Sequence, residues 1–327
     1  MTVEREELMK LRAAILTMAL AAMPMFASAE EYPSRPVTVI VPFAAGGQTD
    51  SVARIMGERL QVALKQPFVV ENRTGAGGVV GTQLAASAAP DGYTIVIVGP
   101  STMITQPLLN PEVQYDVEGD FRPLARVASA PMVFVVNSDS PFSSLGELVD
   151  HLRTDQLSFG SSGHGSSMHL STEWFKNIMG VDALHIPFRG SSQSLLALMG
   201  GEIDFLIDPP ITAQPLIEDG KLRALAVTAR TGDERLADIP TMQEAGVEGF
   251  EQLIWNGFMV PAGTPDEVVA RLEAAFRDIL ADDEVKNRLA GLGLEADFRT
   301  GEEFTALLRE ERETYGRIIA EAGITLE

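Results

Sequence analysis

Two glycine-rich turns are where the backbone of this sequence could do chemistry. The first is Pro42-Phe-Ala-Ala-Gly-Gly-Gln-Thr-Asp50 and the second is Glu71-Asn-Arg-Thr-Gly-Ala-Gly-Gly78. Each leaves a short apolar run, Val37–Val41 or Phe68–Val70, and opens a segment with helical spacing. A helix that starts on such a turn aims its first N–H groups and a partial positive charge into the turn, where an anion can bind. Gly46 and Gly47 let the chain turn without a Cβ clash, and Thr49 or Asp50 is placed to cap the helix. The chemistry is not that of a nucleotide site. Val80 holds the third glycine position of a dinucleotide fingerprint, Gly81 comes one residue late, and Gly81-Thr82 lacks the lysine of a P-loop.

A hydroxyl-rich loop, Ser161-Ser-Gly-His-Gly-Ser-Ser-Met-His169, also lies between a strand and a helix. Ser166 or Ser167 should cap that helix, leaving the others to donate to an oxygen-bearing ligand. Ser, His and Asp together invite a hydrolase reading. A nucleophile elbow needs glycine two residues before and after the serine, and both Ser162 and Ser101 fail on the second. His164 and His169 are five residues apart, on different faces if helical, and no HExxH occurs, so no metal is expected. His169 reads either as a ligand contact or as a buried side chain tying the loop to its helix. Arg189, in His185-Ile-Pro-Phe-Arg-Gly190, could grip a carboxylate in bidentate fashion or pair with a surface acid. Asp208, before two prolines, could accept from a ligand or cap the next helix. Ser101 and Thr102, just past the run Tyr93–Val98, add a further strand-end loop.

The elements that must hold these loops alternate. Strand-like runs at 37–41, 68–70 and 93–98 are separated by helical segments at 50–65 and up to about 87. A second series places strands at 132–136, 157–159, 185–188, 203–207 and 222–227, with helices at 144–153, 166–179 and 191–199. From Pro265 onward the pattern reads as helical. Two βα series without a low-complexity linker predict an α/β fold of two lobes, each a mainly parallel sheet flanked by helices, with a cleft between them. Open sheets of this kind bind ligands beyond the carboxyl ends of their strands.

Composition narrows the partners. The chain has 327 residues, no cysteine, and 25 Lys plus Arg against 46 Asp plus Glu, a net charge of −21. Such a surface repels phosphate backbones, and thiol chemistry and Cys-ligated metals are excluded. Lys10 and Arg12 precede an apolar stretch, Ala13 to Phe26, and then Ala27-Ser-Ala29. This is the pattern of an export signal, too short to span a bilayer. The product should be a soluble exported protein.

Taken in order, these pieces resemble the periplasmic substrate-binding receptors of tripartite tricarboxylate transporters, the Bug family. The resemblance includes Tyr32-Pro-Ser-Arg-Pro36, both glycine turns, the Ser161–Leu170 loop, Pro187-Phe-Arg-Gly190 and Gly201-Glu-Ile-Asp204. It continues through Leu222–Val227, Ile239-Pro-Thr241, Glu244-Ala-Gly246, Trp255 and Pro261-Ala-Gly-Thr-Pro265. It implies a two-lobed receptor, not an enzyme, that closes on a small organic carboxylate and delivers it to membrane subunits. The implied division is a signal peptide at 1–29, lobe I at 30–130 with 254–327, and lobe II at 131–253, with crossings near Ala130 and Leu253. One carboxylate falls to Phe43, Ala44, Gly46, Gly47, Asp50, Gly75, Ala76 and Gly77, with Ser101 and Thr102 beside them. From the other lobe come Ser161, Ser162, Ser166, His169, Arg189, Gly190 and Asp208. A monomer without cofactor, metal or nucleic-acid partner is expected. Thr74, His164 and Ala197 depart from the family pattern (Pro, Asn and Asp are usual there), which leaves the identity of the carboxylate open. The alternatives are a secreted α/β hydrolase with a Ser/His site and a receptor that serves only a signalling kinase.

Overall fold

The computed structural model describes residues 32–229, 236 and 238–325. The expected export signal at 1–29 lies outside them. The fold described here is the compact unit Arg35–Glu327.

Its strands form two sheets. The first holds β1 (Val37–Val41), β2 (Phe68–Asn72), β3 (Thr94–Val98), β4 (Phe121–Pro131), β10 (Leu253–Pro261) and β11 (Glu295–Thr300), in the order β11-β4-β10-β3-β1-β2. The second holds β5 (Val133–Asn137), β6 (Ser158–Ser161), β7 (Leu184–Pro187), β8 (Phe205–Asp208) and β9 (Leu222–Val227), in the order β7-β6-β8-β5-β9. The apolar, β-branched runs become strands buried by helices on both faces. Val37, Val39 and Val41 are fully buried, as are Val133 to Val136.

The parallel part is the same in both sheets. β1 pairs in parallel with β2 on one side and β3 on the other, and β6 does the same with β7 and β8. In the first sheet α1 (Gln48–Leu64) leads from β1 to β2, and α2 (Val79–Ala86) leads to β3; a short α3 (Gln106–Leu109) follows. In the second, α4 (Leu145–Leu152) precedes β6, α5 (Ser167–Met179) leads to β7 and α6 (Ser191–Met199) to β8, with α7 (Pro210–Glu218) beyond. The chain therefore reverses its winding at β1 and again at β6, and each reversal opens a crevice at the carboxyl ends of the strands.

The remaining pairings correct the expectation of mainly parallel sheets: β10 with β3 and β4, β11 with β4, and β5 with β8 and β9 are all antiparallel. The chain leaves the first sheet at Pro131, enters the second at Val133, exits it at Val227 and rejoins the first at Leu253. Strands entering from the other sheet arrive head-to-tail with β3 and β4, so their pairing is antiparallel. Beyond Pro265 the chain is not wholly helical. Helices α8 (Asp266–Ala281), α9 (Asp283–Ala290) and α10 (Gly301–Ala322) are interrupted by β11, a polar edge strand paired with β4 alone.

Caps explain several helix starts. Ser144 accepts from the backbone N–H of Glu147, and Glu147 accepts in turn from Ser143. Ser166 accepts from the His169 N–H, and Thr300 with Glu303 closes a reciprocal capping box on α10. None of the helices among the described residues is long and apolar enough to cross a membrane.

Candidate functional site

The two glycine turns lie side by side at the ends of β1 and β2. Asn72, the last residue of β2, donates from Nδ2 to the carbonyl of Phe43 at 3.0 Å and to Asp50 Oδ1 at 2.8 Å. The loop after β3 joins them, because Ser101 Oγ donates to the carbonyl of Gly77 at 3.1 Å. Gly75, Ala76, Gly77 and Gly78 all have positive φ, at 143°, 46°, 64° and 99°. Positive φ at successive residues lets the chain double back here, and Gly78 N and Val80 N both donate to the carbonyl of Gly75, at 2.9 and 3.4 Å. Gly78 is obligatory on packing grounds as well: a Cβ there would stand 2.7 Å from Thr102 Cγ2 and 3.1 Å from the Phe43 ring.

Asp50 has a different task from the one expected. The helix N-cap is Gly47, without a side-chain cap, so neither Thr49 nor Asp50 caps α1. The Asp50 carboxylate accepts from Gly46 N at 2.9 Å, from Arg54 Nε and Nη2 at 2.9 and 3.0 Å, and from Asn72. Burial works against its charge, but the bonds from Arg54, Gly46 and Asn72 outweigh burial and hold its pKa down at about 2. Asp50 is 2% exposed and its oxygens are committed, so it shapes the first turn rather than touching a guest. Arg54 offsets its charge, leaving the helix dipole to act on the turn. Phe43 is half-buried, whereas Ala44, Gly46, Gly47, Gly75, Ala76 and Gly77 are exposed; Ser101 is half-buried and Thr102 is buried beneath.

On the second sheet, Ser161 and His169 are buried, while Ser162 and Ser166 are half-buried in the loop that opens α5. Ser161 Oγ lies 2.7 Å from His185 Nε2 and donates to the carbonyl of Gly163. It is closed off from solvent, and among the described hydrogen bonds no carboxylate reaches His185. His169 accepts at Nδ1 from Gly165 N, tying the loop to its helix. The register Phe159↔His185 between β6 and β7 brings the histidines together, 16 residues apart in sequence. The His169 and His185 rings stack 3.8 Å apart and 8° from parallel, with His164 edge-on to both. Burial lowers the pKa of His169 to about 4 and of His185 to about 3, helped by the neighbouring imidazoles and Lys176.

This clustering corrects the spacing argument. His164 belongs to a loop, not to the helix of His169, and nitrogen atoms of the three rings come within 4.8 Å of one another. Two of these nitrogens are already engaged: Gly165 N donates to His169 Nδ1, and Ser161 Oγ lies 2.7 Å from His185 Nε2. The arrangement is that of a hydrogen-bonded stack.

Asp208 ends β8, fully buried. Ser191 Oγ donates to its Oδ1 at 2.6 Å and Thr212 donates to Oδ2. Burial, opposed by those two bonds, pushes its pKa up to about 6. It fastens the starts of α6 and α7 together and is no open ligand contact. Arg189 is exposed with Gly190 beside it, and its backbone N–H is held by Gln193.

Both sets of strand ends reach one turn. Gln48, the first residue of α1, donates from Nε2 to the carbonyl of Leu292 at 3.1 Å. One residue on, a Cβ at Gly293 (φ +71°) would meet Ile211 Cβ, in the first turn of α7, at 3.1 Å. The start of α1 on the first sheet and the start of α7 on the second therefore meet the same turn. Sequence reasoning missed Gln48, Asn72 and Ile211 as site-builders. Asn72 alone carried a signal, an amide at the end of an apolar run just before a glycine turn.

Two mixed sheets, each flanked by helices and joined by two stretches of chain, define a two-lobed solute receptor of the periplasmic binding-protein type. The sequence profile of the tripartite tricarboxylate transporter family receptor matches residues 52–324, and the chain belongs to that family. It is similar to protein BugT of Bordetella pertussis, 33% identical over 303 residues (92% of this chain and 93% of BugT). A structure from R. palustris solved with adipate is 34% identical with a TM-score of 0.77, covering 90% of this chain and 99% of that one. MatC from Rhodopseudomonas palustris with bound malate is 33% identical with a TM-score of 0.72, covering 88% and 100%.

Proposed function

We propose that this chain is an exported receptor that closes two lobes, 30–130 with 254–327 and 131–253, around a small organic carboxylate and passes it to the membrane subunits of a tripartite transporter. The observation that carries this reading is the shared turn Leu292–Gly293, touched by Gln48 from one sheet and Ile211 from the other. That turn ties the starts of α1 and α7 together, which supports a guest held between the loops of the two sheets. The adipate and malate of the two relatives support a carboxylate as the guest.

On the first lobe, attraction comes from peptide dipoles, since Arg54 and Arg73 are already paired with Asp50 and Glu71. A charge-assisted hydrogen bond contributes roughly 1.5–3 kcal/mol, so a few of them, less ordering costs, reach the roughly −8 kcal/mol of micromolar binding. The net charge of −21 does not forbid this, because exposed charges are screened over about 8 Å in physiological salt. On the second lobe, Ser162, Ser166 and the exposed Arg189 are the donors we assign to the guest's other end.

Thermal-shift screening of the exported chain against aliphatic and aromatic carboxylates tests the proposal. The right compound at 100 times its Kd should stabilise the chain by about 2.7 kcal/mol. Silence across mono-, di- and tricarboxylates would refute the ligand class. Sustained ester hydrolysis lost in Ser162→Ala would favour an enzyme instead.

A further inference from the structure

We propose a second small-molecule site, away from the glycine turns, that takes a zwitterion of the α-amino-acid class. A cavity of about 600 Å³ lies beside the two stretches of chain that connect the sheets. That volume is in the usual range for small-ligand sites, roughly 300–1,000 Å³. Its walls include Arg126 and Ser129 of β4, Trp174 of α5, Gln252 just before β10, and Glu311 and Tyr315 of α10. None of these belongs to the strand-end loops described above.

Two buried polar groups in this wall lack partners of opposite kind. Arg126 is 3% exposed; its Nη2 pairs with Asp297, but Nε and Nη1 have no acceptor among the described residues. Gln252 is 4% exposed; its backbone is fixed to Thr228 through both N–H and carbonyl, and its Oε1 has no donor among the described residues. A buried polar group left without a partner costs about 1–3 kcal/mol, so a guest that supplies the partner binds against that debt. Arg126 needs an acceptor and Gln252 needs a donor.

The surrounding charge decides between guests. Glu251, Glu295, Asp297, Glu303, Glu310 and Glu311 also line the cavity, against Arg126 and Arg299, and Arg299 is paired with Asp297, so acids are in excess. A free carboxylate would meet their repulsion, and an amine alone would leave Arg126 unmet. A zwitterion brings its carboxylate to Arg126 and its ammonium to Gln252 and the acids, with no net charge. Its side chain meets an apolar wall formed by Trp174 and Tyr315, whose rings pack edge-on against each other at 6.3 Å and 65°. Because Trp174 comes from the helix that follows β6 and Tyr315 from the helix that follows β11, a guest here touches both halves of the molecule. Its binding is then thermodynamically linked to any movement between them.

The test is calorimetry on the full chain with L-phenylalanine, L-leucine and L-glutamine, and with phenethylamine and 3-phenylpropionate as single-charge analogues. At least one amino acid should bind saturably, and both analogues should bind at least about tenfold more weakly than phenylalanine. Ala306→Trp, a change at the exposed rim of the cavity on α10, and Gln252→Leu should each weaken amino-acid binding by a similar factor. Gly77→Val, in the second glycine turn, should leave it unchanged. Melting curves confirm that each variant is folded, and Ala306→Trp carries the test if Gln252→Leu is not. A cavity that merely holds water gives no saturable heat with any amino acid, which overturns the proposal. Binding that survives Ala306→Trp, or that disappears in Gly77→Val, overturns it equally. A failed carboxylate screen with amino-acid binding intact would refute the glycine-turn reading alone.

Discussion

Asn72 Nδ2 donates to the carbonyl oxygen of Phe43 at 3.0 Å, fastening the end of β2 to the turn that follows β1. The same amide reaches Asp50, and Arg54 Nη2 returns to Asn72 Oδ1 at 3.2 Å. One side chain thus sets the spacing of two anion-binding turns. Asn72→Ala should leave the fold intact, since the residue is only partly buried, but let the turns drift. The loss of these three hydrogen bonds, two of them direct ties between the turns, predicts carboxylate binding weakened by about 1–2 kcal/mol, or roughly 5–30-fold. Titration of the variant with the stabilising carboxylate checks this, and an unchanged Kd would remove Asn72 from the site.

Gly78 and Gly46 separate two reasons for glycine. Both have positive φ, 99° and 84°, but a Cβ at Gly46 meets nothing within 4 Å, whereas one at Gly78 strikes Thr102. Gly46→Ala costs only the left-handed backbone, about 1–2 kcal/mol. Gly78→Ala adds overpacking of about 1–3 kcal/mol. Thermal melts should place Gly78→Ala clearly below Gly46→Ala, and equal melting temperatures would contradict the packing argument.

The sequence made the central strands legible and the connecting ones not. Val37–Val41 and Leu222–Val227 become strands of those bounds, because β-branched and aliphatic runs need burial on both faces. Phe121–Pro131 conceals an eleven-residue strand behind Arg122, Pro123 and the buried Arg126, and it is defined by pairing with β10 along its length. Glu295–Thr300 is polar and pairs on one side only, so nothing in its own pattern requires a strand. The glycine turns and Ser166 cap announced themselves through local backbone chemistry. The stacking of His169 on His185 did not, because only the pairing of β6 with β7 creates it.

That stack predicts an acid-side dependence of stability. The folded pKa values of His169 and His185, about 4 and 3, lie below the ordinary 6.5. Between those limits the unfolded chain binds more protons, so their contribution to stability rises with pH and levels off above about 6.5. His185→Gln keeps a donor for Ser161 but cannot titrate. The melting-temperature difference, wild type minus variant, should therefore grow from pH 4 to 6.5 and then stay flat. A constant difference across that range would show that the stack does not hold His185 neutral.

Glu311 predicts the opposite slope. It accepts from Trp255 Nε1 at 2.9 Å, with Arg126, Glu310, Glu251 and Tyr315 as its charged and titratable neighbours. Burial raises its pKa to about 7, against the pull of the Trp255 bond and Arg126. The folded chain then binds more protons than the unfolded one between about 4.5 and 7, so this contribution is full below 4.5 and is lost as pH rises through 7. Glu311→Gln preserves an acceptor for Trp255 without a charge to ionise. Relative to wild type, the variant should gain stability steadily from pH 5 to 8, a trend that melts in matched buffers would reveal. A gain that is independent of pH would mean that Glu311 is ionised throughout, held by Arg126 despite its burial.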